Sequence, residues 1–302
     1  MIKFFKRVWL AAMLVGMLAV PAFGAGGNLR YTITVSKFEN NSGWSGQWEI
    51  GDAFGSILTE ALQASGKFVV LGERDMRGEA MLEQDLAASG RTAGGKKAPA
   101  TGRLTPAQLL VKGAVTHVQS STTGGGGGIN VMGFSLGGSK DKAEVNITIY
   151  VVDSTTGQVK SSTKVVGQAG RRGLSFGYSG SAFGGNVDGF KKDNVGKACE
   201  DAVVQAVEYL EQQLEQIPWE GSIVKAGDQP IINRGTREGV EVGQVFKVGA
   251  VENLVDEDTG EILDSEMKQV AVIKVSSVKE KIAYCDLLEG QTEKGMTVHP
   301  AD

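Results

Sequence analysis

Histidine and cysteine are scarce in this chain. Its 302 residues hold two of each, His117 and His299, Cys199 and Cys285. Neither cysteine sits at zinc-ligand spacing, and the two histidines lie far apart with no partner motif. There is no H-E-x-x-H and no P-loop, so the common metalloprotease and nucleotide-binding signatures are missing. Gly124 to Gly128 form a glycine run. It lacks the Lys-Ser/Thr pair that a phosphate loop needs, and no helix pattern follows it. The carboxylates of Asp256 to Gly260 lack the twelve-residue ligand spacing of a calcium loop, and they read as a solvated hairpin turn. We therefore expect no enzyme activity, no cofactor and no metal.

Long apolar runs are also missing, apart from Val8 to Val20. That run is too short for the roughly 20 residues of a spanning helix. It follows Lys3, Lys6 and Arg7 and precedes small residues at Ala22 and Gly24, which is the layout of an export signal. Residues 1–24 are the expected signal, with cleavage after Gly24 or one residue later. No cysteine lies near that point, which argues against N-terminal lipidation. Without its three basic residues the chain keeps 28 of 31 Lys and Arg against 35 Asp and Glu, a formal −7. No basic stripe remains, so nucleic acid is not an expected partner. Export permits a disulfide. Cys199 sits on the apolar face of a helix pattern and Cys285 in a strand pattern, which predicts two separate buried thiols.

What is abundant is glycine, 43 residues, much of it in Gly124–Gly138 and Gly167–Gly189. Around these clusters the periodicity is orderly. Tyr31, Ile33 and Val35 alternate with Thr32, Thr34 and Ser36, which predicts a half-buried strand. Phe54, Ile57, Leu58, Ala61 and Leu62 share one helical face, stopped by Gly66. A second helix is expected over 76–88, with Glu73, Arg74 and Asp75 as a surface charge network. Residues 89–104 read as a polar loop. Thr105 and Pro106 resemble an N-cap and a first helical residue ahead of a strand near 110–118. Two alternating runs flank "DSTTGQ" as a hairpin. The longest helix pattern carries Ala198, Ala202, Val203, Ala206, Val207 and Leu210, with Pro218 beyond it. From Trp219 onward, short strands separated by Gly and Asp turns predict a small antiparallel barrel or sandwich.

The segments "FVVLGERDMRGEAMLEQ", "LLVKGAVTHVQSS", "AEVNITIYVVDSTTGQVKSS" and "ACEDAVVQAVEYL" resemble the CsgG family, outer-membrane pore subunits that export curli fibre proteins. The likeness is distributed over about Arg30 to Gln216, and it includes a cysteine at the place of Cys199. It implies an α/β domain over 25–217 that sends two β-hairpins into a shared multi-subunit barrel. Those hairpins correspond to the glycine-rich segments near 122–144 and 167–190. Met132, Phe134 and Leu136 alternate with small residues in the first, as Leu174, Phe176 and Tyr178 do in the second. Apolar-out, small-in is what a barrel strand in lipid requires, so these six are the candidate membrane-facing residues. The resemblance implies a homo-oligomer that passes an exported or cell-envelope protein, in the periplasm or outer membrane. A soluble periplasmic scaffold is the alternative. The family narrows its pore with a loop after the first strand. Here that loop is Asn40 to Asp52, which offers Trp44 and Trp48 as constricting residues. The alternative is that both pack against the domain or a neighbouring subunit. The family's Tyr and Asn-Phe spacing in this loop is absent, as is its lipid-anchor cysteine.

Residues 218–302 carry "INRGTREGVEVGQVFKV", "DEDTGEIL" and "VAVIKVSSVKEKIAYCDLLEG". They are similar to the C-terminal domain of the periplasmic flagellar protein FlgT. That likeness implies a small β-barrel for protein interactions and no chemistry.

Overall fold

The computed structural model describes residues 29–46, 48–121, 130–131, 134–135, 142–174, 187–214, 217, 219–260 and 262–301. The first unit begins with β1 (Tyr31–Val35), β2 (Glu39–Asn40), α1 (Ile50–Ser65), β3 (Phe68–Val70) and α2 (Arg74–Ala88). It continues with β4 (Leu109–Ser121), β5 (Asn130–Val131), β6 (Phe134–Ser135), β7 (Lys142–Asp153), β8 (Val159–Gln168), α3 (Val187–Lys192) and α4 (Asn194–Leu214). Its sheet runs β3-β1-β4-β7-β8. β3, β1 and β4 are parallel, whereas β7 and β8 are antiparallel to their neighbours. α1 and α4 pack on each other and on the sheet. Phe54, Ile57, Leu58, Ala198, Ala202 and Val203 are almost fully buried there. α1 ends at Gly66, whose φ of 66° is the left-handed cap that glycine adopts without strain.

Gly167 shows how closely α4 lies on β8. A Cβ there would stand 2.0 Å from the Ala198 carbonyl oxygen, so only glycine lets the two backbones approach.

β1 departs from the expected half-buried strand, because all five of its residues are buried. It lies between β3 and β4, and turns cover its polar face. Thr32 Oγ1 donates to the Pro106 carbonyl at 3.1 Å, and Thr34 Oγ1 donates to the Gly72 carbonyl at 2.9 Å. Buried hydroxyls need such partners. The same bonds explain why Thr105 and Pro106 start no helix. The Gln108 amide donates to the Thr32 carbonyl at 2.9 Å, which ties this stretch alongside β1 and straight into β4. α2 forms where a helix was expected, but none of its described side chains is buried. Glu73 accepts from Ser56 Oγ at 3.3 Å. Burial pushes its carboxyl above the usual range, against that bond.

The second unit is a closed barrel of β9 (Gly221–Lys225), β10 (Ile231–Ile232), β11 (Val245–Val255), β12 (Ile262–Val278), β13 (Ala283–Gly290) and β14 (Thr297–Pro300). The strands close in the order β10-β13-β12-β11-β14-β9. Ile223, Phe246, Val248, Ile273 and Val298 fill it, and Trp219 stacks on Phe246 with ring centres 5.4 Å apart. The units touch at the start of β1. There the Arg30 amide donates to the Glu238 carbonyl at 2.8 Å, and the Tyr31 hydroxyl donates to the Ile217 carbonyl.

Cys199 in α4 and Cys285 in β13 are both fully buried and unpaired. Burial raises both thiols, with Cys285 pushed up to about 12. Neither forms a thiolate at neutral pH, so both act as small core side chains.

Candidate functional site

The feature with the most organised geometry is one end of the sheet, where both glycine-rich segments are rooted. β4 leaves at Ser121 and the chain returns at Lys142, and these two residues pair. β8 leaves one strand over, with Gln168 paired to Glu144. The Ala169 amide then donates to the Ala143 carbonyl at 2.9 Å. The first segment and the outgoing limb of the second thus leave neighbouring strands almost in register.

A buried carboxylate fixes the second root. Asp201 of α4 is fully buried. Its Oδ2 accepts from the Gln168 amide at 2.9 Å and from Gln205 Nε2 at 3.0 Å. Gln205 Nε2 also donates to the Val166 carbonyl at 2.9 Å. Arg172 lies just outside, with Nη1 donating to Glu208 at 2.6 Å and Nε 3.9 Å from Asp201 Oδ1. A charged acceptor bound to a backbone amide is among the stronger protein hydrogen bonds. Here it pins the last paired residue of β8 to the helix behind it.

The returning limb of the second segment enters α3, where Phe190 is fully buried. Trp48 meets Phe190 edge-on at 4.6 Å, and Trp44 leans on Trp48 at 4.7 Å. Trp48 is a core residue at 7% exposure, and Trp44 is half-buried. Trp44 also crowds Gly46, where a Cβ would stand 2.0 Å from its ring. The structure therefore brings both tryptophans together at the root of the second segment and packs them against their own domain.

Of the six candidate lipid-facing residues, Met132, Leu136, Phe176 and Tyr178 lie outside the described residues. Phe134 lies in β6, paired with Val131 of β5. β5 and β6 are antiparallel, with Asn130 paired to Ser135. Leu174 is partly buried and packs against the domain core.

The literal pattern G-x-S-x-G does occur, once in each segment, as Gly133–Gly137 and Gly173–Gly177. A nucleophile elbow needs a strand-to-helix turn and a histidine. Ser135 lies instead in a hairpin strand. His117 is exposed on β4, and His299 sits on the barrel 3.8 Å from Glu220. The pattern marks the likeness of the two segments, and no triad is built among the described residues.

A groove of about 660 Å³ opens beside β1, lined by Lys37, Glu39, Asp52, Glu73, Asp75 and Lys112 among others. Lys37 Nζ lies 2.8 Å from Asp52, and that bond raises the ammonium pKa. Among the described residues no cluster of three or more His, Cys, Asp or Glu could hold a metal. No described helix is long and apolar enough to cross a membrane.

The described residues thus form an α/β domain, with two segments rooted at one end of its sheet, followed by a closed barrel. The profile of the family described as "Curli production assembly/transport component CsgG" matches residues 25–235, and the chain belongs to that family. The match runs past the α/β domain into β9 and β10.

Among solved structures, a PelC dodecamer from Paraburkholderia phytofirmans is 12% identical, with a TM-score of 0.31, over 59% of this chain and 86% of that one. A hypothetical protein from Chlamydia trachomatis is 11% identical, with a TM-score of 0.37, over 62% and 100%. The LpoB C-terminal domain from Salmonella enterica is 18% identical, with a TM-score of 0.27, over 47% and 84%. At such identities and scores these likenesses carry no functional argument. No curated protein matches the chain.

Proposed function

We propose that this protein is an exported, homo-oligomeric assembly component of the cell envelope. Its two glycine-rich segments combine with those of neighbouring copies into a shared β structure that passes an exported protein. The supporting observation is the common root. β4, β7 and β8 deliver the first segment and the outgoing limb of the second side by side. Glycine-rich strands pair weakly alone, so such segments gain order chiefly by joining others. Family membership supports a role in assembly or transport.

A soluble periplasmic scaffold is the second reading, and it is favoured by length. A spanning strand needs about 9–11 residues, hence about five lipid-facing side chains. Each segment offers three in alternation.

Membrane fractionation with and without urea, with negative-stain imaging in mild detergent, tests the choice. Rings that resist urea extraction support the channel. Urea-extractable rings support the scaffold. Monomers that extract in every condition overturn the oligomeric reading altogether.

A further inference from the structure

The barrel carries an arm that its own fold leaves uncovered. β11 pairs with β14 only over Phe246–Gly249, and β12 pairs with β13 only over Ala271–Val278. Beyond those points β11 and β12 pair only with each other, from Ala250 and Lys268 out to Val255 and Ile262. Six residues at about 3.4 Å each carry this two-stranded ribbon about 20 Å past the barrel. A lone two-stranded ribbon is marginal in water, and its open edges invite a partner.

The register sorts the arm into two faces, because directly paired residues share a side. Val251 pairs with Met267 and Val255 with Ile262, with the polar pair Asn253 and Ser265 between them, so one face is mostly apolar. Glu252 pairs with Glu266 and Leu254 with Asp264, with Ala250 and Lys268 at the base, so the other face is mostly acidic. Like charges directly opposite one another are unfavourable, and neither glutamate has an ion-pair partner among the described residues. From Ala250 to Gln269 the arm holds seven carboxylates and one lysine.

The chain's opposite number is the loop that follows α2. Arg91, Lys96, Lys97 and Arg103 are exposed, and none forms an ion pair among the described residues. No carboxylate occurs between Asp85 and Asp141. Beside this loop α2 exposes Leu82 and Leu86 one turn apart. An acidic arm with an apolar face and a basic loop beside an apolar helix face are complementary in both respects.

We infer that the acidic arm of one copy, residues 250–269, docks on the basic loop 91–103 and the adjoining face of α2 in a neighbouring copy. This contact rests on the homo-oligomeric reading and gives that reading a subunit interface away from the glycine-rich segments. Charge steers the arm to the loop, and the apolar faces close afterwards.

Sedimentation velocity of the mature protein, at low and high salt, tests the contact with a charge swap. E252K/E266K and K96E/K97E are each expected to weaken association by about tenfold or more. The combined chain, bearing all four changes, is expected to return to within about threefold of the original. E252Q/E266Q is expected to show a smaller loss in the same direction, and salt is expected to weaken the unaltered protein. Near-ultraviolet circular dichroism checks that the folds are kept, which the exposed positions favour. If either charge reversal leaves association unchanged, or the combined chain stays dissociated, this interface is wrong while oligomerisation stands. If the unaltered protein is monomeric throughout, both readings fall.

Discussion

The hairpins β7–β8 and β11–β12 turn on the same chemistry and end in opposite surroundings. Their turns read DSTTG at Asp153–Gly157 and DEDTG at Asp256–Gly260. In the first, Asp153 Oδ1 accepts the Thr155 and Thr156 amides at 2.8 and 3.2 Å. In the second, Asp256 Oδ1 accepts the Asp258 and Thr259 amides at 2.8 and 3.4 Å. Gly157 and Gly260 adopt φ of 73° and 74°, values natural for glycine alone. The strands differ. β7 buries Val145, Ile147, Ile149 and Val151 in the domain core, with α4 packed on it. The outer parts of β11 and β12 expose Leu254, Ile262 and Leu263 at 62%, 54% and 60%. Local sequence thus sets where a hairpin turns, and the helix packed behind it decides whether the hairpin is core or arm.

Truncating one apolar residue in each hairpin tests this contrast most severely. Ile147→Ala removes a fully buried side chain and is expected to cost about 2–5 kcal/mol. Leu254→Ala in the arm is expected to change stability by no more than about 0.5 kcal/mol. Urea unfolding at high salt, where charge contacts between copies are screened, measures both. Equal losses would mean that the arm packs within its own subunit and that the contrast is false.

The backed hairpin was legible in the sequence because a strand with one buried face alternates at period two. α4 was legible for the matching reason, its stripe of Ala198, Ala202, Val203 and Ala206. The barrel announced itself through its Gly and Asp turns. β1 misled, since Thr32 and Thr34 look solvent-facing until the turns that accept from their hydroxyls are in place. Thr105 and Pro106 misled as helix signals because partners on β1, distant in sequence, claim the backbone nearby. At the candidate site, the two glycine-rich segments were visible in composition. Their common root was not, because it depends on strand order and register. Asp201 carried no sequence signal at all, being one acidic residue in a helix with several. Trp48 read as a loop residue until Phe190, 142 positions later, met it. The arm was hidden by its own strand-like sequence, because nothing local tells that β13 and β14 stop short of it.

Two glycines, one at the base of the arm and one in the turn of the β7–β8 hairpin, sharpen the comparison at a smaller scale. Gly290 ends β13 at the base of the arm with φ of 79°, and a Cβ there would stand 1.9 Å from the Val270 carbonyl oxygen. Gly157, with φ of 73°, has open space around it. Gly290→Ala is therefore expected to combine left-handed strain with overpacking and cost about 2–5 kcal/mol. Gly157→Ala is expected to show the strain alone, about 1–2 kcal/mol. Thermal unfolding reads the difference. A Gly290 variant no worse than the Gly157 variant would mean that the barrel rim yields and that the arm is hinged at its base.

The finest distinction between the hairpins is electrostatic. Burial pushes the Asp153 carboxyl up, but the Thr155 and Thr156 amides and Lys160, 3.6 Å away, outweigh it and hold it below the usual range. Asp256 is lowered mainly by the Asp258 amide, with burial opposing, and it has no such lysine among the described residues. A carboxylate depressed in the folded state stabilises above its unfolded value of about 3.9 and loses that effect as pH falls through the folded value. Carboxyl titrations followed by NMR are expected to show both midpoints below the usual range. Added salt is expected to raise the Asp153 midpoint more than that of Asp256, because salt screens Lys160 and leaves the amide bonds intact. Asp256→Asn is expected to keep the turn, since an asparagine side-chain oxygen accepts the same amides. It is also expected to abolish the acid-dependent part of amide exchange at Thr259. An Asp256 midpoint at or above the ordinary carboxylate value would show that the arm's turn is not formed in solution. The two hairpins would then share a sequence pattern without sharing a structure.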